Sequence, residues 1–278
     1  MSATLLHPPA TMISNRGMRV DGTGLTRVFR RPDGTVLQAL GPLDLALRPG
    51  EFFSIIGPSG CGKSTLVDVV SGLAAPDTGQ VTADGVPYAG QVPDGVGLVM
   101  QDDASFGWLS VWDNVAFGLR RDGRNGAEVT RRVRHALGFM GLADFAQARP
   151  SQLSGGMRQR MCIARTLVTE PRFLVLDEPF GALDQQTRLL MADELLRLWR
   201  ETGATVLLIT HSLDEAALLS DRIGVMSARP GRILEVIDTG WAPGRDSTLA
   251  GTLAFGAITA RLWQRLRAES LTAMGRSA

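Results

Sequence analysis

Glu51-Phe52-Phe53-Ser54-Ile55-Ile56-Gly57-Pro58-Ser59-Gly60-Cys61-Gly62-Lys63-Ser64-Thr65-Leu66-Val67-Asp68-Val69-Val70 is the stretch on which the reading of this 278-residue chain turns. Its first six residues have the composition of a short buried strand, and those from Ser64 onward open a helix. Between them Gly57, Gly60 and Gly62 permit positive φ and leave no Cβ in the way, so consecutive backbone N–H groups can turn inward around an anion. The helix N-terminus adds partial positive charge at the same point. Of the 29 basic residues only Lys63 is a lysine, and it stands in this loop. A compact ammonium can slide along a loop and reach between phosphates, where the broad arginine fork fits poorly. Gly57, Pro58, Ser59, Gly60, Cys61, Gly62, Lys63, Ser64 and Thr65 are therefore expected to cradle a nucleoside triphosphate. The Ser64 hydroxyl is placed to meet a Mg²⁺ that bridges the outer phosphates.

Two further stretches narrow the chemistry. Arg172-Phe173-Leu174-Val175-Leu176-Asp177-Glu178-Pro179 is an apolar strand ending in adjacent carboxylates. Side chains alternate along a strand, so the two should do different work. Asp177 is expected to hold Mg²⁺ through its water shell, and Glu178 to polarise the water that attacks the γ-phosphorus. The alternative is that both merely cap a following helix. Leu153-Ser154-Gly155-Gly156-Met157-Arg158-Gln159-Arg160 opens a second glycine-lined helix N-terminus.

In this order and spacing, the phosphate loop, Leu-Ser-Gly-Gly and the Asp-Glu strand resemble the ATP-binding-cassette (ABC) ATPases over roughly residues 19 to 240. The resemblance implies an α/β fold: an ABC-type P-loop NTPase nucleotide-binding domain with a RecA-like parallel-sheet core, an N-terminal antiparallel β subdomain and a helical subdomain at about 103–160. It also implies that Ser154, Gly155 and Gly156 cap the γ-phosphate of ATP held by a second copy, in a head-to-tail dimer. Gln101 corresponds to the glutamine that contacts Mg²⁺ and water, and His211 to the histidine that hydrogen-bonds the γ-phosphate. Asp184 corresponds to a loop residue that crosses the dimer interface. Phe29 corresponds to the aromatic that stacks on adenine, although it could equally be a core strand residue.

Composition sets limits. A formal net charge of +1 gives no electrostatic reason to expect nucleic acid as a partner. Cys61 and Cys162 form neither a metal pattern nor a disulfide framework. Cys61 is expected to be open to alkylation when nucleotide is absent, and Cys162 to be a small core residue. No apolar run approaches the ~18 residues a spanning helix needs. Residues 1–17 read as a flexible leader without signal-peptide features, with Met1, Met12 or Met18 as the start. Residues 18–240 read as the ATPase domain and 241–278 as a helical tail. In that tail Leu249, Leu253, Leu262 and Leu266 are expected to share one apolar stripe folded back on the body.

Strands are expected near Gly24–Phe29, Val36–Leu47, Phe52–Ile56, Gln80–Ala83, Val96–Met100, Ala204–Thr210, Ile223–Met226 and Arg232–Ile237. Helices are expected near Val111–Leu119, Ala127–Met140 and Gln185–Glu201. Phe106, Trp108, Trp112 and Phe117 crowd a segment just after Gln101, in a chain only 6% aromatic. Trp108, beside Gly107, is the better candidate for contact with a membrane partner, whereas Trp112 and Phe117 could instead form the core of the helical part.

This segment and Ser227-Ala228-Arg229-Pro230-Gly231-Arg232-Ile233 resemble the branch serving nitrate, sulfonate and taurine importers. By that resemblance the chain is the ATP-hydrolysing subunit of an importer at the cytoplasmic face of the inner membrane. It would act on two transmembrane permease subunits and, through them, on an extracytoplasmic solute-binding protein. A soluble non-transport ABC ATPase and an exporter or lipid-handling cassette are the alternatives.

Overall fold

The computed structural model describes residues 17–101 and 104–273. Most of the expected leader, with Met1 and Met12, lies outside these residues, as does Asp103, where the helical part was expected to begin. Two sheets carry the fold. β1 (Val20–Arg30), β2 (Val36–Leu47), β4 (Thr78–Ala83) and β5 (Val86–Tyr88) form an antiparallel sheet in the order β2-β1-β4-β5. β3 (Phe52–Ile56), β6 (Val96–Val99), β7 (Phe173–Asp177), β8 (Thr205–Ile209), β9 (Arg222–Met226) and β10 (Ile233–Asp238) form the second, in the order β10-β9-β3-β8-β7-β6. All its pairings are parallel except that of β10 with β9.

β3, β7 and β8 are buried at every position, because both faces of the parallel sheet are covered. Phe52, Ile56, Leu174, Leu176, Val206 and Leu208 point into one core, which they share with the helices. Their alternates Phe53, Ile55, Phe173, Val175, Leu207 and Ile209 point into another. That second core is closed by the antiparallel sheet and α1 (Lys63–Val70).

The remaining helices are α2 (Val111–Arg121), α3 (Gly126–Phe139), α4 (Gly155–Leu167), α5 (Gln185–Thr202), α6 (Leu213–Leu219) and α7 (Leu253–Ala273). Ser110, Asn125, Ser154, Asp184 and Ser212 cap α2 to α6, each side chain accepting a hydrogen bond from the backbone N–H three residues on. Gly203, at φ 65°, closes α5 in the left-handed conformation that glycine adopts without penalty. Asn114 is fully buried in α2, and its amide binds the Phe106 N–H and the carbonyls of Phe106, Leu109 and Ser110, which pins the loop before the helix.

The tail departs from its expected stripe. Leu262 is buried, Leu249 and Leu266 are half-buried, and Leu253 is 96% exposed, its place in the core being taken by Phe255. Among the described residues no helix is long and apolar enough to cross a membrane.

Candidate functional site

The parallel strands β3, β6, β7, β8 and β9 all run toward one edge, and part of the sequence-predicted site follows four of their carboxyl ends. This is the edge at which open α/β sheets place ligands. β3 leads into the loop 57–62, β6 into Gln101, β7 into Glu178 and β8 into His211.

In the loop, Gly60 and Gly62 take φ of 73° and 112°, and Gly62 caps α1. A Cβ on Gly62 would lie 2.6 Å from the Ala39 carbonyl oxygen, so the position is closed to any side chain. Lys63 Nζ folds back onto the loop, donating to the carbonyls of Gly57 and Pro58 at 2.9 and 3.0 Å. Ser59, Gly60 and Ser64 are exposed, and Thr65 is half-buried. Cys61 corrects an expectation: it is 1% exposed, and burial pushes its thiol pKa up, so this loop thiol is shielded from alkylation. Cys162 is buried in the helical core, as expected.

Glu178 joins the other strand ends. Its carboxylate accepts from Gln101 Nε2 at 3.0 Å and lies 3.3 Å from His211 Nδ1. Glu178 takes φ 48°, a left-handed conformation that costs a non-glycine residue about 1–2 kcal/mol. Such strain concentrates where geometry serves function. Its N–H donates to the Ile209 carbonyl at 2.8 Å, which fixes the turn.

The neighbouring Asp177 is 8% exposed, and its pKa is pushed up to about 6 by burial first and the Glu178 charge second, against the pull of Lys63. A cation beside it would restore an ordinary carboxylate. Among the described residues no three His, Cys, Asp or Glu side chains gather as a metal cage. The oxygen chemistry of the expected set Ser64, Gln101 and Asp177 is of the hard-donor kind that suits Mg²⁺, which keeps its waters and leans on substrate phosphates.

Gln159, which sequence reasoning did not single out, ties the second helix N-terminus to this centre. From α4 its amide donates to the Glu178 carbonyl at 3.1 Å and accepts from the Ala182 N–H at 3.2 Å. The turn it holds leads to Asp184, whose carboxylate accepts from the Thr187 N–H and hydroxyl at 3.0 and 2.7 Å and is held below the usual range by them. Ser154 and Gly155 are exposed at the start of α4, and a Cβ on Gly156 would meet Leu183 at 2.7 Å. Phe29 lies near the end of β1, 42% exposed with the Arg27 guanidinium 5.5 Å from its ring, which excludes the core reading.

Comparison with known proteins agrees with this arrangement. The sequence model of the family described as ABC transporter matches residues 40–181, which contain the loop, Gln101, Ser154 and the Asp177-Glu178 pair. The Taurine import ATP-binding protein TauB of Roseobacter denitrificans is 46% identical over 210 residues, covering 75% of this chain and 78% of that protein. Its namesake from Pseudomonas aeruginosa is 48% identical over 204 residues, covering 73% and 77%. The ATP-binding cassette MJ0796, solved as a dimer in a post-hydrolysis state bound to ADP and Pi, is 30% identical and superposes with a TM-score of 0.72 over 79% of this chain and 98% of that one. A matched family model over half the chain, close relatives along three quarters of it and the same α/β cassette fold lead to one conclusion: the chain is an ATP-hydrolysing subunit of the ABC transporter family.

Proposed function

We propose that this chain energises uptake of a small anionic or organosulfur or nitrogen solute, of the nitrate, sulfonate or taurine type, through separate membrane permease subunits. The observation that carries the reading is the Gln101–Glu178–His211 cluster at the strand ends beside a complete phosphate loop, in a chain 42–48% identical to named taurine import ATP-binding proteins. ATP binding exchanges the two carbonyl contacts of Lys63 for charge-assisted bonds to phosphate oxygens. Glu178, oriented from two sides, takes the hydrogen bond of the attacking water, and His211 meets the γ-phosphate. Mg²⁺, when bound by Ser64, Gln101 and Asp177, supplies neutralisation of the phosphate charge. Ser154, Gly155, Gly156 and Asp184 complete the site of a second copy, so the working form is a head-to-tail pair with Phe29 against adenine.

The permease face is the aromatic cluster after Gln101. Trp108 is 72% exposed, its ring 5.5 Å from that of Phe106, which lies 4.7 Å from Phe117. Trp112 packs instead against the helical core. An exposed cluster of this kind suits a partner helix on the cytoplasmic side of the inner membrane.

Affinity capture of the tagged chain from detergent-solubilised membranes tests the reading. A multi-span membrane protein is expected in the eluate, and Trp108→Glu is expected to lose it while keeping ATPase activity. Recovery of a soluble ATPase alone would overturn the transport role and leave the nucleotide chemistry standing.

A further inference from the structure

Four of the five parallel strands end on residues of the proposed nucleotide site. The fifth, β9, ends at Met226 and runs into the turn Ser227-Ala228-Arg229-Pro230-Gly231-Arg232, which no step above uses. The turn is built onto the phosphate loop. The Gly231 N–H donates to the Ala39 carbonyl at 2.9 Å, and the Gly231 carbonyl accepts from the Gly41 N–H at 3.1 Å. A Cβ on Gly231 would lie 2.4 Å from the Cys61 carbonyl oxygen, so turn and loop touch backbone to backbone. Ser227 closes the turn on itself, its N–H donating to the Arg232 carbonyl at 2.9 Å and its Oγ accepting from the Arg232 N–H at 3.0 Å.

Arg229 makes the directed contact. Its Nε and Nη2 both donate to the Gly60 carbonyl oxygen, at 3.0 and 2.7 Å. The Gly60–Cys61 peptide is planar and trans, so fixing its carbonyl toward Arg229 turns the Cys61 N–H the opposite way, into the loop. There that N–H donates to the Pro58 carbonyl at 3.3 Å, closing a turn within the loop, and the same carbonyl accepts from Lys63 Nζ. The guanidinium thus fixes the Pro58–Cys61 turn of the loop from outside it. Behind the turn stands α7, where Glu269 Oε2 accepts from the Ala228 N–H at 2.7 Å. Glu235 of β10 pairs with Arg261 and Arg265, and Leu262 is fully buried, so the helix that supplies Glu269 is held at several points.

We propose that Arg229 is a positioning residue for ATP binding: it locks the Gly60–Cys61 peptide and with it the Pro58–Cys61 turn of the phosphate loop, and Glu269 of the tail helix holds the turn that carries it. This rests on the reading of 57–65 as the nucleotide site.

The test is steady-state ATPase kinetics, with fluorescent-ATP-analogue titration and thermal melting, on the full chain and its variants. Arg229 is exposed, so its replacement leaves the core intact. Arg229→Ala is expected to raise KM and the analogue Kd about tenfold with kcat changed less than about threefold, the pattern of lost binding rather than lost chemistry. Arg229→Lys, which still offers a donor to the carbonyl, should recover part of the affinity. Glu269→Ala should shift KM in the same direction by about threefold, and Glu269→Gln, whose amide oxygen still accepts, by less. Unchanged KM in Arg229→Ala, or a loss of kcat and melting temperature at constant KM, would overturn the proposal. A wild-type chain that binds the analogue beside an indistinguishable Arg229→Ala sinks this inference alone. A wild-type chain that binds no nucleotide sinks the site reading with it.

Discussion

Tyr88 is the chain's one tyrosine, which makes it a clean reporter. Its hydroxyl donates to the Val70 carbonyl at 2.5 Å, at the end of α1, and burial pushes the phenol well above its ordinary value of 10.0. A raised folded pKa favours the neutral form, so this contribution to stability is complete below pH ~10 and is lost as pH rises through the folded value. Ultraviolet titration should therefore show no phenolate near pH 10 while the chain is folded. A normal titration there would show that Tyr88 is solvated. Residues of this kind mark the limit of sequence reading. The placement of Lys63 after the loop and of Asp177 and Glu178 at a strand end is legible in the sequence because glycine spacing and an apolar run mark loop and strand directly. The shielding of Cys61 is not legible because a sequence shows a thiol's neighbours along the chain, whereas its burial comes from packing around the loop. Gln159 and Asn114 were silent because each acts through hydrogen bonds to carbonyls and N–H groups that only the folded turns bring together.

At the scale of elements, period and composition located the long strands and helices, and the errors have mechanical causes. β5 is three residues long and contains Pro87, too short to show alternation. α6 spans seven residues, two helical turns, and its apolar run carries no clear period. The tail stripe failed on arithmetic: Leu253 and Leu262 are nine positions apart, two and a half turns, and so face opposite sides at about 100° per residue. Phe255 and Leu262, seven apart, share a face and are both buried. Leu262→Ala should therefore lower unfolding free energy by about 2–4 kcal/mol, and Leu253→Ala by no more than about 0.5. Urea unfolding of the pair checks this, and equal effects would refute the docking of α7.

For the whole molecule, the proposed pairing needs the start of α4 to be open to a second copy. The start of α4 is exposed, and it is linked to Glu178 through Gln159 and the turn before Asp184. Glu178→Gln should keep ATP binding, lose about 10²-fold or more in turnover, and so hold the ATP-bound pair long enough to elute as a dimer in size-exclusion chromatography. Near-normal hydrolysis, or a monomer with ATP bound, would count against the assignment. The position of β3 has a consequence for how such a molecule is made. The strand that carries the phosphate loop is flanked by β8 and β9, whose residues pair with it as Phe52 with Val206 and Phe53 with Arg222, much further along the chain. During synthesis the loop leaves the ribosome early, but its strand gains neither neighbour until β8 and β9 have followed, long after the helical part has been made. A nascent chain halted before them carries the whole loop motif on a five-residue apolar strand with both edges bare. Until β8 and β9 are made, that strand presents the bare edges and apolar surface on which chaperones act.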